Sequence, residues 1–129
     1  MPSRPLSPHL SVYKFKYTLT TSILNRLTGI ALSAGLVLLA YWLMAVAGGA
    51  EAQARAQALL GLPALKLVYA ALLFSFSYHL CAGVRHLVWD TGHGLERAQS
   101  QRSAWLVVVA AVLLTLLLGY LLLHAGRAP

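Results

Sequence analysis

Residues 27–47 read LTGIALSAGLVLLAYWLMAVA, a run that contains no charged side chain. About 20 residues of apolar helix are enough to cross the hydrocarbon core of a bilayer. Two further uncharged runs follow at residues 67–84 and 104–123. None of them alternates apolar and polar side chains as a membrane β-strand does, so helices are the expected way to satisfy the backbone in lipid. The sequence therefore predicts an all-α integral membrane protein with three transmembrane helices.

The composition favours the same class. Hydrophobic residues make up 59% of the chain and charged residues 10%, whereas soluble domains carry about 25% charged residues. The net charge of +7 would suit a nucleic-acid binder, but the basic residues flank the apolar runs. Basic flanks orient membrane helices, so we expect a lipid bilayer as a partner and no nucleic acid.

The connections between the three runs carry their own signals. The glycine pair at 48–49 is expected to end the first helix, because glycine adopts the left-handed cap conformation at little cost. The alanine-rich segment 51–60 predicts a short interfacial helix. Pro63 suits the first turn of the second membrane helix, where its missing N–H costs little. Gly92 and Gly94 mark the expected end of that helix.

The chain divides into a basic segment 1–26, which includes the start of the first helix, and a three-helix membrane domain at 27–129. Three spans place the N-terminus and the connection between the second and third spans on one side. That side holds most of the basic residues: Arg4, Lys14, Lys16, Arg26, Arg85, Arg97 and Arg102. The other side holds Arg55, Lys66 and Arg127. The positive-inside rule therefore predicts a cytoplasmic N-terminus and an external C-terminus.

His79 lies inside the second uncharged run, where an ionisable side chain is costly and usually functional. Gly83, one turn later, removes a side chain and leaves the clearance that a flat macrocycle needs. Neutral imidazole is a standard axial ligand of haem iron, so His79 is a candidate for that role. A buried histidine bonded to a carbonyl of another helix, or a proton relay, are the alternatives. Arg85 and His86, about 10 Å further along the helix, are candidates for haem propionate contacts.

The chain offers no second histidine at the depth of His79. The first run has none, and His124 at the end of the third lies near the opposite membrane face. Either the iron of a haem held by His79 is five-coordinate, or another chain supplies the second ligand.

Ser22 and Arg26 lie one helical turn apart where the first helix enters the membrane. A guanidinium beside a hydroxyl can bind a quinone carbonyl oxygen, and a guanidinium also suits a propionate. The alternative is that Arg26 only anchors the helix among the lipid headgroups. Both interpretations place the pair on the same side of the membrane as Arg85 and His86.

Three blocks of this sequence, in this order and spacing, resemble the cytochrome b556 subunit family of succinate dehydrogenase. They are residues 4–14 (RPLSPHLSVYK), residues 22–29 (SILNRLTG) and residues 78–87 (YHLCAGVRHL), the last followed by Asp90. The resemblance covers essentially the whole chain. One position departs from the family pattern, because Asn25 stands where a histidine usually precedes the arginine.

The resemblance implies the membrane-anchor role in complex II, as one half of a heterodimeric haem-binding helix bundle. His79 would be an axial ligand of a single haem b, and a second membrane anchor subunit would supply the other ligand. Ser22 and Arg26 would bind ubiquinone. FAD and the iron–sulfur clusters would reside in a flavoprotein and an iron–sulfur subunit. The chain itself would perform no bond chemistry and would lie in a bacterial inner membrane.

Asp90 is expected to serve either as a proton-path residue or as a counter-ion to Arg85. Two other function classes remain. One is the anchor of a fumarate reductase, in which electrons flow in the opposite direction. The other is a haem-free membrane subunit for assembly or transport.

Overall fold

The computed structural model describes residues 17–125. The helices are α1 (Tyr17–Ala47), α2 (Ala50–Leu60), α3 (Pro63–Asp90) and α4 (Arg97–Ala125), and the described residues form no strand. The three long helices contain 31, 28 and 29 residues. At 1.5 Å per residue they are roughly 42–46 Å long, which exceeds the ~30 Å hydrocarbon core. The prediction of three transmembrane helices is confirmed by their length and composition.

The helices extend beyond the uncharged runs that predicted them. α1 begins at Tyr17 rather than at Leu27, and α4 begins at Arg97 rather than at Ala104. Charged and polar residues mark where a helix leaves the hydrocarbon, but the backbone hydrogen bonds continue into the headgroup region. Ser22 lies within α1, as expected for the start of the first helix. Residues 1–16, with the 4–14 block, and Arg127 lie outside the described residues.

The turn signals in the sequence correspond to the helix ends. α1 stops at Ala47, and Gly49 has a φ of 90° before α2 begins. α3 starts at Pro63 as expected. After α3, Gly92 and Gly94 have φ angles of 81° and 77°, a backbone conformation that other residues rarely adopt. The short helix predicted at 51–60 is confirmed as α2.

α3 lies at the centre of the bundle and packs against both α1 and α4. The buried core joins Tyr78 and Ala82 on α3 to Val107 and Ala111 on α4. Small residues let these backbones approach closely, as is usual between membrane helices. The core is surrounded by four partly buried side chains: Leu24, Phe74, Cys81 and Val108.

Two glycines allow α1 to pack closely against α3. A Cβ on Gly29 would lie 3.2 Å from Cε1 of His79, and a Cβ on Gly35 would lie 2.9 Å from Cδ2 of Leu72. Small residues four apart on a membrane helix, such as Gly29 and Ser33, often form a joint packing face. Only Gly29 fulfils this, because Ser33 is exposed and its hydroxyl donates to the carbonyl of Gly29 in its own helix.

Most large apolar side chains of the described residues point outward. Leu67 is 78% exposed and Leu106 is 68% exposed. A surface this apolar is stable only in contact with lipid or with other membrane helices. The isolated three-helix unit is therefore built to sit in a bilayer.

Candidate functional site

His79 is held by α1, more than 50 residues earlier in the chain. Its Nδ1 atom lies 3.2 Å from the carbonyl oxygen of Asn25 and 3.3 Å from Oγ1 of Thr28. The ring is partly buried between the two helices. The alternative of a histidine bonded to a carbonyl on another helix is therefore correct for one of the two ring nitrogens.

These contacts determine the tautomer of His79. A carbonyl oxygen only accepts hydrogen bonds, so Nδ1 must carry the proton that it donates to Asn25. A neutral ring with its proton on Nδ1 has a lone pair on Nε2, and no residue within 17–125 forms a hydrogen bond with that atom. Metal-ligating histidines commonly donate their other N–H to a backbone carbonyl, which fixes the ring and raises its basicity. The chemistry of His79 thus fits an axial ligand of haem iron.

The space one turn from His79 is open. A Cβ built on Gly83 would meet no heavy atom within 4 Å. A packing glycine such as Gly29 would instead meet a neighbour at close range. The clearance expected beside His79 is present, and no side chain among the described residues fills it.

The described residues offer no second histidine beside His79. His86 donates from Nδ1 to the carbonyl of Ala82 at 2.7 Å, one turn earlier in its own helix. His93 follows α3 in the connecting loop, and His124 stacks on Tyr120 in the last turn of α4. A hexacoordinate haem at His79 would need a ligand from outside residues 17–125.

Several predicted site residues surround one small cavity between α1 and the end of α3. Ser22, Arg85 and His86 line it together with Thr21, Asn25, Tyr78, Ala82, Trp89 and Val107. Its volume is about 80 Å³. That is room for a few water molecules or a head-group oxygen, but far less than the ~300 Å³ of a small-molecule site. A complete quinone pocket would need walls from outside residues 17–125.

One polar atom in this cavity lacks a partner. Oδ1 of Asn25 is buried and accepts no hydrogen bond from the described part of the chain. An unpaired buried acceptor costs about 1–3 kcal/mol. Its donor must come from outside residues 17–125.

Arg26 does not line the cavity. It lies one turn after Ser22 on α1, and both side chains are exposed on the surface of the helix. The structure thus keeps the two residues on one helix and near the cavity, while leaving the guanidinium on the outer surface. Such a group can reach a lipid headgroup, a quinone carbonyl or a propionate.

Arg85 joins the end of α3 to the start of α4. Its Nε donates to Oγ of Ser103 at 2.9 Å, and its Nη2 donates to the carbonyl of Ser100 at 2.8 Å. The guanidinium also lies over the ring of Trp89, 3.9 Å from the ring centroid. These contacts of Arg85 are structural, and its propionate role stays a prediction.

Asp90 does not act as the counter-ion to Arg85. Among residues 17–125 the ion pair present joins Arg55 to Glu51 on α2. Side chains five residues apart on a helix point about 140° away from each other, so Arg85 and Asp90 cannot readily face one another. Asp90 is exposed at the end of α3, and its proton-path role stays a prediction.

Sequence reasoning missed the residues of α1 that face α3. Thr28 is 5% exposed and contacts His79, while the carbonyl of Thr21 accepts a hydrogen bond from the Tyr78 hydroxyl at 3.0 Å. Thr21 and Thr28 are seven residues apart, with Asn25 between them, so all three lie on one helix face. This i, i+4, i+7 spacing is the signal that would have found them.

Comparison with known proteins identifies relatives over nearly the whole chain. Residues 1–118 match the family described as "Succinate dehydrogenase/Fumarate reductase transmembrane subunit". The succinate dehydrogenase cytochrome b556 subunit of Rickettsia felis is 40% identical over 115 residues, which cover 89% of this chain and 90% of the relative. The protein of the same name from Paracoccus denitrificans is 39% identical over 115 residues, covering 89% and 88%.

A mitochondrial protein is similarly close. The succinate dehydrogenase cytochrome b560 subunit of Bos taurus is 40% identical over 113 residues, which cover 86% of this chain and 67% of the relative. These matches confirm the resemblance that the three sequence blocks predicted. The chain belongs to the family of succinate dehydrogenase/fumarate reductase transmembrane subunits.

Proposed function

We propose that this chain is the haem b-binding membrane anchor of a succinate dehydrogenase and forms part of its ubiquinone-reduction site. The observation that carries the proposal is the environment of His79. An acceptor-only carbonyl holds its Nδ1 as N–H at 3.2 Å, which leaves the Nε2 lone pair for iron. Bound haem would supply a redox centre, and His79 would position it from one side.

The second axial ligand would come from a second membrane anchor subunit. No described histidine other than His79 lies at its depth, and the exposed apolar surface of the helices suits contact with another membrane chain. The haem would then be shared across a heterodimeric bundle. A flavoprotein with FAD and an iron–sulfur subunit would complete the complex and deliver electrons from succinate.

Ser22 and Arg26 would bind the quinone head group. The hydroxyl of Ser22 would hydrogen-bond a carbonyl oxygen. The guanidinium of Arg26 would stabilise the charge that this oxygen gains on reduction, so it would favour the transition state over the ground state. The cavity beside Ser22 supports this placement, because polar side chains line it. The cavity is too small for a whole quinone ring, so the ring itself would lie outside it.

The remaining site residues would serve the surroundings of the haem and quinone. Arg26, Arg85 and His86 are the candidates for haem propionate contacts. Of the three, the exposed Arg26 is freer to move than Arg85, whose Nε and Nη2 bond to α4, and than His86, whose Nδ1 bonds to the carbonyl of Ala82. Asp90 is the candidate for a proton path to the quinone.

The complex would lie in a bacterial inner membrane with the N-terminus of this chain in the cytoplasm. Three helices leave the start of α1 and the α3–α4 connection on one side, where the basic residues are concentrated. The family description also covers fumarate reductase anchors, so the opposite electron flow is the second candidate function. Comparing succinate oxidation with fumarate reduction by the purified complex distinguishes the two.

The test of haem ligation is His79→Ala in the assembled complex. We expect the absorption bands of the reduced haem to disappear or shift, because one axial imidazole is lost. His124→Ala is the matched control, since that exposed histidine lies in the last turn of α4 and should leave the spectrum unchanged. An unchanged spectrum with full haem content in His79→Ala would refute the assignment.

The test of the quinone site compares two activities. Arg26→Lys keeps the charge but loses the planar fork, and Ser22→Ala loses the hydroxyl. Both should lower succinate–quinone activity while succinate oxidation with a soluble dye stays near normal. Ser33→Ala, which changes an exposed serine bonded only within α1, is the control. A parallel fall of both activities would assign Arg26 to assembly, and no fall in either would assign it to headgroup anchoring.

A test of the partners is purification through a tag on this chain. The proposal expects a different membrane subunit to copurify together with a flavoprotein and an iron–sulfur protein. Recovery of a homodimer that holds haem between two copies of His79 would contradict it.

A further inference from the structure

The hydroxyl of Thr28 has no role in the proposed function so far, yet it lies beside the ring that would hold the haem. Thr28 is 5% exposed, and its Oγ1 is 3.3 Å from Nδ1 of His79. The same oxygen lies 2.9 Å from the carbonyl of Leu24 and 3.0 Å from the carbonyl of Asn25. The hydroxyl therefore lies in a shielded position between two backbone carbonyls and Nδ1 of His79.

The direction of each hydrogen bond follows from the two carbonyls. The Thr28 hydroxyl has one proton, and the backbone carbonyls of Leu24 and Asn25 can only accept it. The lone pairs of Oγ1 then face the Nδ1–H of His79 as an acceptor. The ring proton is shared between two oxygens, the carbonyl of Asn25 and the hydroxyl of Thr28.

We infer that Thr28 is a positioning residue that sets the donor strength of His79 and thereby the reduction potential of the haem. Oxygen acceptors on Nδ1–H draw the proton away from the ring and raise the electron density on Nε2. A more basic Nε2 stabilises ferric over ferrous iron, which lowers the potential. The low exposure of Thr28 strengthens this effect, because water does not compete for the proton.

This inference rests on the proposed ligation of haem by His79. It adds that the hydroxyl acts through the ring and not merely within its own helix. The alternative for Thr28 is a threonine whose hydroxyl bonds the carbonyl four residues earlier. Thr115 on α4 does this, with its Oγ1 2.7 Å from the carbonyl of Ala111. Thr115 is therefore the matched control.

The experiment is an equilibrium redox titration of the haem in the purified complex, without turnover. Thr28→Val removes the hydroxyl at nearly constant volume, and Thr28→Ser retains it. We expect Thr28→Val to raise the midpoint potential by an amount equal to about a twofold to tenfold change in the ferric-to-ferrous ratio, the range of one hydrogen bond. Tenfold corresponds to about 59 mV for one electron. Thr28→Ser and Thr115→Val should keep the parent potential.

The outcomes distinguish a failure of haem ligation by His79 from a failure of the role of Thr28. If His79→Ala leaves the haem spectrum unchanged, the ligation itself is wrong. If His79→Ala alters the spectrum but Thr28→Val keeps the parent potential, ligation stands and the role of Thr28 is refuted. If Thr28→Val fails to assemble, Thr28→Ala fits the same space and makes the same comparison with Thr28→Ser. Equal shifts in Thr28→Val and Thr115→Val would also refute the role, because they would report helix packing alone.

Discussion

Substituting alanine for Gly29 tests the close approach of α1 to the ring of His79. The new Cβ would lie 3.2 Å from Cε1 and 3.8 Å from Nδ1 of that ring. A contact of 3.2 Å is tighter than nine in ten real Cβ contacts, so the ring must move by a few tenths of an ångström. The change therefore displaces the candidate haem ligand without touching it chemically.

The size of the effect follows from the distances around Nδ1. Its contacts with Asn25 and Thr28 are already 3.2 and 3.3 Å, so a small displacement takes both beyond hydrogen-bond length. Two such bonds contribute about 1–3 kcal/mol. Replacing glycine by alanine inside a helix stabilises the helix by roughly 0.8–1.0 kcal/mol. The packing of α1 on α3 should therefore be destabilised by about 0–2 kcal/mol. The His79 ring would lose both hydrogen bonds by which α1 orients it.

The assay measures haem content, the reduced-minus-oxidised spectrum and the thermal unfolding midpoint of the purified complex. Gly29→Ala should lower haem content or shift the bands, and it should lower the midpoint by no more than a loss of about 2 kcal/mol would. Gly119→Ala is the control, because its Cβ would meet Cδ2 of Leu73 at an ordinary 3.8 Å. Full haem content and an unchanged spectrum in Gly29→Ala would refute the close packing of α1 on His79.

Three further substitutions test other parts of the structure. Gly83→Leu should keep the helical circular dichroism signal of the complex but reduce its haem content, because the leucine side chain would fill the open space beside His79. Full haem content would show that no macrocycle occupies this space. Tyr78→Phe removes the 3.0 Å bond to the carbonyl of Thr21 and should cost about 1 kcal/mol, seen as a lower unfolding midpoint; an equal midpoint would show that the bond contributes nothing. Arg85→Lys loses the planar guanidinium that bonds Ser100 and Ser103 of α4, so the connection at 91–96 should be less firmly held and a protease should cut it faster. An unchanged cleavage rate would show that Arg85 does not hold the two helix ends together.

The spans could be predicted from the sequence because hydropathy is a local property. A run without charges, such as residues 27–47, identifies the part of a helix that lies in hydrocarbon whatever the rest of the chain does. The part of α1 between Tyr17 and Arg26 could not be found this way. Beyond the hydrocarbon, polar residues are compatible with helix and with loop alike, so composition does not distinguish them.

The candidate site was predictable in its ionisable residues but not in its neutral ones. His79 stands out because an imidazole inside an apolar run is costly. Thr28 does not, since a threonine in a membrane helix can always bond its own backbone. Arg85 shows the opposite failure. Sequence proximity suggested Asp90, but the contacts come from Ser103 and Ser100 on the next helix, which only the packing of α3 on α4 brings together.

The residues that form hydrogen bonds with His79 precede it in the chain, and this affects when the ring can be oriented during synthesis. The contacts of His79 reach back 54 and 51 residues along the chain, to Asn25 and Thr28. Both lie on α1, which leaves the ribosome first, so the ring can be oriented as soon as α3 has inserted and packed against α1. Within residues 17–125, no hydrogen bond of the ring involves α4. A nascent chain that ends after Asp90 thus already contains both residues of α1 that form hydrogen bonds with the His79 ring.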